Sequence, residues 1–378
     1  TTQNQDASLR GVNNWNGLTS FTGVNSGSWR NITFVADGSV NLGNVVATGK
    51  LDGTAGSSLN LNGTINVASL DLTATAGNIT QGTNGTLTVT NGPSNLVAGG
   101  DITLDKANDF NGTVNASGVN VIINDINSLT LGDVTATGNL DATAATNLNL
   151  DGTISVASLD LTATSGNITQ GANGTLTVTD GPTNLVAGGD ITLNQANDFN
   201  GTVNADGVNV TLNDVNDLTL GDVTASGTLD VTAGTDLTIN GTVTATDTTL
   251  TAGNDIVING DVTSDTLVAE AGGDITQGAN STLTIADSLE LTAGNDITLD
   301  GAVNGGNATL TAGNDVTLNG TVDVNLLDVT ATAGDITLNG TVTATDTTLT
   351  AGNDIVINGD VTSDTLAAEA GGDSTQGA

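Results

Sequence analysis

Residues 235–253 read TDLTINGTVTATDTTLTAG, and the spacing of apolar side chains in that stretch decides the fold. Leu237 and Ile239, Val243 and Ala245, and Leu250 and Ala252 alternate with polar residues, a period of two that belongs to half-buried strands. Each short run stops at Asn240-Gly241, at Asp247 or at Gly253-Asn254-Asp255, residue types that tolerate positive φ and cap turns with their own side chains. Three strands and three corners make one triangular coil. Laying the following residues over it at an offset of 19 sets Ile256 on Leu237, Ile258 on Ile239 and Val262 on Val243, so like rests on like. That is a parallel β-solenoid, an all-β fold. On the third face Thr248 and Leu250 are followed by Leu267 and Ala269; the large side chain changes slot while the pair roughly keeps its volume, as close packing requires.

The corner tag repeats along the chain. AGTD at 233, AGND at 252, AGGD at 271, AGND at 293 and 312, AGD at 333, AGND at 351 and AGGD at 370 are separated by 19, 19, 22, 19, 21, 18 and 19 residues. Longer copies lie over this period. NGTLTVTNGPSNLVAGGDITL from Asn84 returns from Asn173 with two changes, and residues 241–267 recur letter for letter at 340–366. Fixed periods of this size call for a repeat architecture. Coils of one repeat each bury little by themselves, so stability is cooperative along the stack and its edges need cover. About nineteen or twenty coils at a spacing of about 4.8 Å predict a rod on the order of 90 Å.

Composition excludes several classes. Forty-one acidic residues face four basic ones, Arg10, Arg30, Lys50 and Lys106, for a formal charge of -37, so nucleic acid is not an expected partner. Such a charge can signal disorder, but 37% apolar residues in regular alternation supply a core. With no Cys and no His there is no disulfide scaffold, thiolate zinc site or thiol nucleophile; the lack of Cys fits, without proving, a secreted bacterial protein. No apolar run is long enough to predict a membrane span, and no leader precedes Thr1, so the chain is expected to be a processed product or an excerpt.

The two ends differ. Residues 1–35 hold Trp15, Phe21, Trp29 and Phe34 with a looser period, and read as a cap that plugs the first coil or as a docking face. Residues 36–378 read as continuous solenoid. GGDITQGANSTLTI from Gly272 is a full coil passage, whereas its copy GGDSTQGA stops at Ala378, so either the natural chain continues or another molecule completes the stack.

The 19-residue coils and phrases such as LTAGNDITL at 291 and LVAGGDITL at 185 resemble the filamentous-haemagglutinin-type repeats of large bacterial surface adhesins, from about residue 36 onward. The resemblance implies a right-handed parallel β-helix and an extracellular or cell-surface protein exported by a two-partner or related route. It further implies a non-enzymatic shaft for attachment, biofilm formation or cell contact, whose receptor the repeats do not specify. No NPNG or NPNL secretion signature is present. Self-assembly end to end into an extracellular filament is the alternative.

The tag aspartates Asp236, Asp255, Asp274, Asp296, Asp315, Asp335, Asp354 and Asp373 should form one column. Unit charges one coil apart repel by about 0.9 kcal/mol even in water. Such a column is either a structural corner or a calcium ladder, although the GGxGxDxUx pattern of calcium-binding solenoids is missing. No other cofactor is expected. Asn108-Asp109-Phe110 and Asn197-Asp198-Phe199 read as corners with a packed ring. Catalysis is not expected: a lyase needs a basic residue, and acidic groups recur at every coil instead of gathering at one irregular site. Thr rows such as TVTATDTTLT at 242 suit an ice-binding face, but their spacing is interrupted. Many Asn-Gly-Thr triplets, for example at Asn62, Asn200, Asn240 and Asn319, match the glycan-acceptor pattern, found sugar-modified in some relatives of this adhesin type, and are equally turns.

Overall fold

A computed structural model describes residues 5–10, 15–21 and 29–377. Among them all regular structure is β, with no helix, and the strands pair in parallel, each with its counterpart one coil away. The chain divides into two compact units, 1–195 and 196–378.

In the second unit the expected register is present residue for residue. The strand Leu237–Ile239 pairs with Ile256–Ile258 through Leu237↔Ile256 and Ile239↔Ile258, and Val243 pairs with Val262. On the third face Thr248 meets Leu267 and Leu250 meets Ala269. The column from Leu237 continues through Ile256, Ile275, Ile297, Val316, Ile336 and Ile355. All of these side chains are buried, because alternation sends every second residue of each strand into the coil.

Two expectations about the corners need correction. Three faces hold, but the second and third strands are not separate in every coil: Val243–Thr244 and Asp247–Ala252 are two strands, whereas in the next coil one strand, Val262–Ala271, runs through both. Its burial alternation changes phase at Asp265 and Thr266, where two successive side chains face away from the core and the register shifts, so the chain bends without a loop. The corner glycines, moreover, are not there for positive φ. Among the described glycines only Gly305, φ 143°, lies in that region. At Gly253 and Gly272 the reason is proximity: a Cβ on either would overlap the carbonyl oxygen of the glycine one coil before, Gly234 or Gly253.

The first unit is built the same way. Ile32–Ala36 pairs with Lys50–Ala55, which pairs with Ser69–Ala74, and Leu51, Leu70 and Leu72 are buried inside. Parallel pairing reaches into residues 1–35, where Ala7–Arg10 pairs with Ile32–Ala36 and Trp15–Phe21 with Val40–Val46. Phe34 therefore has a coil on either side. It is fully buried against Gly53, whose missing side chain makes room for the ring, so Phe34 fills the core and presents no docking face. Trp29 bridges to Ala47 and is half-buried. Trp15 and Phe21 lie on a strand, but their side chains fall outside the described residues.

Candidate functional site

The tag aspartates are brought together in one column, and the structure shows what they do there. From Asp236 to Asp354 each side-chain Oδ1 accepts the backbone N–H of the tag aspartate in the next coil: Asp255 onto Asp236 at 3.1 Å, Asp274 onto Asp255 at 2.8 Å, Asp296 onto Asp274 at 3.1 Å and Asp315 onto Asp296 at 2.9 Å. The ladder goes on with Asp335 onto Asp315 at 2.8 Å, Asp354 onto Asp335 at 2.9 Å and Asp373 onto Asp354 at 2.8 Å. In AGND tags the asparagine adds a second donor, as Asn254 Nδ2 does to Asp236 at 2.7 Å and Asn353 Nδ2 to Asp335 at 2.7 Å. In AGGD tags the glycine makes space instead: a Cβ on Gly273 would overlap Asp255 Oδ1.

Charge is not what the position needs. In the first unit neutral side chains also fill the same role, since Asp101 N–H donates to Asn78 Oδ1 at 2.9 Å, Asn167 N–H to Asn147 at 3.0 Å and Asp190 N–H to Asn167 at 2.9 Å. The common requirement is an acceptor oxygen one coil below. A hydrogen bond to a charged acceptor is worth about 1.5–3 kcal/mol net, more than the roughly 0.9 kcal/mol of repulsion per neighbouring pair, so the ladder outweighs the charge stacking. Asp217 begins the column; the hydroxyl of Thr235 first, then the N–H of Asp236, holds its carboxyl below the ordinary Asp value. Among the described residues no three acidic side chains converge as a metal site.

A second ladder was not foreseen. At the Asn-Gly corners Asn259 Nδ2 donates to Asn240 Oδ1 at 3.0 Å, Asn319 to Asp300 at 2.7 Å, Asn339 to Asn319 at 2.8 Å and Asn358 to Asn339 at 2.8 Å. Among the glycan-acceptor triplets, Asn240 and Asn319 are thus rungs of this ladder. Asn200 Nδ2 instead donates to Asp198 at 3.1 Å, and Asn62 approaches Asn41 at 3.5 Å. The Thr row at 242 is broken on both sides of the sheet. Thr248 points into the core, and the outward Thr249 and Thr251 are followed one coil later by Val268 and Glu270.

The duplicated NDF corners carry the packed rings expected, with Phe110 and Phe199 buried, and an unexpected carboxylate beneath each. Asp125 Oδ2 accepts the Phe110 N–H at 2.8 Å and its Oδ1 the Asn127 N–H at 2.7 Å; Asp214 does the same for Phe199 and Asn216, both at 2.8 Å. Only 4% and 1% of these aspartates is exposed, and burial pushes both carboxyls up from the ordinary value although two N–H donors pull the other way. The sequence does carry a signal. In VIIND the alternation Val121, Ile123 sends Asp125 inward, as Val210 and Leu212 do for Asp214. Beside it Asn108 is fully buried, its Nδ2 donating to the carbonyls of Leu104 at 3.0 Å and Asn124 at 3.2 Å while its Oδ1 accepts from Gln81 at 2.5 Å. This network supports a bulge at Asp105-Lys106-Ala107, next to an open cleft of about 460 Å³ lined by Lys106, Asn124 and Ile126. The three basic side chains described are each paired with aspartate: Arg30 with Asp6 at 2.7 Å, Lys106 with Asp105 at 3.0 Å, and Lys50 with Asp71.

The tag and Asn-Gly ladders are therefore organised coil against coil. No helix among the described residues is long and apolar enough to cross a membrane. No curated protein and no solved structure matches the chain. A family described as repeats of unknown function (DUF5649) matches residues 54–117, 118–158, 145–206, 207–262, 257–304 and 305–366, which is most of the length, and the chain belongs to that family.

Proposed function

We propose that this protein is a non-enzymatic structural shaft, extracellular and carried on or released from a bacterial surface, where it spans distance for attachment, biofilm formation or cell contact. One observation carries the reading. The conspicuous polar column has its Oδ1 atoms, from Asp236 to Asp354, engaged by the next coil's backbone, so its side chains bind the molecule to itself. The high negative charge supports it, since it keeps such surfaces soluble and apart. Electron microscopy of the purified chain should give separate unbranched rods, and immunolabelling should decorate intact source cells or their surroundings. Label that appears only after permeabilisation removes the extracellular placement.

A filament whose subunits stack through solenoid edges is the second reading. Its support is that successive coils pair in parallel through one repeated register, so the edge of one stack is complementary to the edge of another. Long fibres whose amount rises with protein concentration would select this reading over separate rods.

A further inference from the structure

Asn-Gly pairs are the sequences most open to one spontaneous reaction, because glycine leaves its own backbone nitrogen sterically free to attack the preceding side chain. The Gly nitrogen gives up its proton to solvent base and bonds to the Asn Cγ. The Cγ–Nδ2 bond breaks, ammonia leaves, and a five-membered succinimide forms. Water then opens the ring at either carbonyl, leaving aspartate or isoaspartate; nothing is oxidised or reduced.

The fold puts several of these pairs in contrasting environments. At Asn259, Asn319, Asn339 and Asn358 the side-chain Nδ2 donates to the coil before, and Asn319 and Asn339 also accept from the coil after. The attacking nitrogen is held too: Gly260 N–H donates to Ile239 O at 3.1 Å, Gly320 to Leu299 at 3.1 Å, Gly340 to Leu318 at 3.0 Å and Gly359 to Leu338 at 3.0 Å. Ring closure there must break the ladder and the backbone bond together. Asn111-Gly112 is different, as is its repeat copy Asn200-Gly201, where Asn200 is exposed and donates to Asp198. Asn111 is exposed and lines an open cleft of about 530 Å³ together with Gly112 and Asn127. Its amide donates only to Asp109, two residues away in the same turn, at 2.8 Å, and the Gly112 N–H has no acceptor among the described residues.

We propose that Asn111 is a site of spontaneous deamidation on the folded protein, and that the asparagine ladder shields the corners at Asn319 and Asn339 from the same reaction. The product at Asn111 places a second carboxylate, or a lengthened backbone, beside Asp109. That carboxylate also receives the Asn127 amide at 3.2 Å, so the change falls on a contact between neighbouring coils.

The test is incubation of the native chain at mildly alkaline pH, followed by Asp-N or thermolysin peptide mapping with mass detection of the amide-to-acid change. A parallel sample is held unfolded in guanidinium. With each retained hydrogen bond worth about a factor of ten, conversion at Asn111 in the native sample should be about a hundredfold faster than at Asn319 and Asn339. In guanidinium the three should converge. Equal native rates at the three sites, or a native rate at Asn111 as low as at the ladder positions, overturns the proposal. An Asp300→Ala variant adds an independent reading: conversion at Asn319 should rise while that at Asn339 stays low, and no rise would mean that the ladder is not what protects.

Discussion

At the scale of single residues, the tag aspartate acts as an acceptor whose charge is incidental. Asp315 receives the Asp335 N–H at 2.8 Å, and Asn167 does the same work in the first unit. Asp315→Asn should therefore shift stability by less than about 0.5 kcal/mol, while Asp315→Ala should cost about 1–3 kcal/mol by stranding that N–H. Denaturant midpoints of the two variants check this ordering. The buried Asp125 behaves in the opposite sense. It uses both oxygens, so Asp125→Asn turns an amide donor against the N–H of Phe110 or Asn127 and should destabilise by about 1–3 kcal/mol, although it removes a buried charge. The sign of its pH dependence follows from its raised pKa. Its contribution is full below the ordinary Asp value of 3.8 and is lost as pH rises through the higher folded value, as for Asp214. The negative groups facing them, Asp109 near Asp125 and Asp198 and Asp217 near Asp214, push in the same direction. The melting temperature of the wild type should fall on going from about pH 4 to about pH 7 by more than that of the double Asp125→Asn, Asp214→Asn variant.

At the scale of the strand and its corner, backbone proximity and interior hydroxyls govern what can be substituted. Gly272 lies over the Gly253 carbonyl, so Gly272→Ala forces neighbouring coils apart and should cost about 1–3 kcal/mol, as overpacking does. Inside the coil Thr248 and Ser264 share a hydrogen bond of 3.1 Å, repeated as Thr347 and Ser363 in the second copy. Ser264 also lies 3.0 Å from the Thr246 carbonyl and 2.7 Å from that of Thr266, tying the bend where the strand turns from one face to the next. Ser264→Ala should cost about 1–2 kcal/mol, and Thr248→Val less in that background than alone, because the two share one bond. A double-mutant cycle in denaturant reads the coupling directly.

At the scale of the whole molecule, 41 acidic against four basic residues make self-repulsion the main long-range force. Raising salt from about 0.01 M to about 0.15 M shortens the screening length from about 30 Å to about 8 Å, and the melting temperature should rise with it. Because the tag Oδ1 atoms are already held by N–H groups, a chelator should leave the midpoint where it is. A fall on chelation, restored by calcium, would return the Asp column to the class of metal ladders.

What the sequence determined by itself was the register of the coils. Period-two alternation and a fixed interval sufficed to set Ile256 on Leu237 and Ala269 on Leu250, because parallel stacking brings each residue onto its counterpart one repeat away. The column of tag aspartates was legible for the same reason. What only the tertiary structure decided was the bonding within those columns and the contacts between different faces. An aspartate column read in sequence is equally a cation ladder or a rail of acceptors, and the choice depends on where the next coil's N–H points. Asp125 under Phe110, Ser264 against Thr248 and Phe34 in the space left by Gly53 depend likewise on how far the chain bends at each corner. Those angles arise from packing around the closed coil, to which residues far apart in the repeat contribute together, and a linear pattern does not carry them.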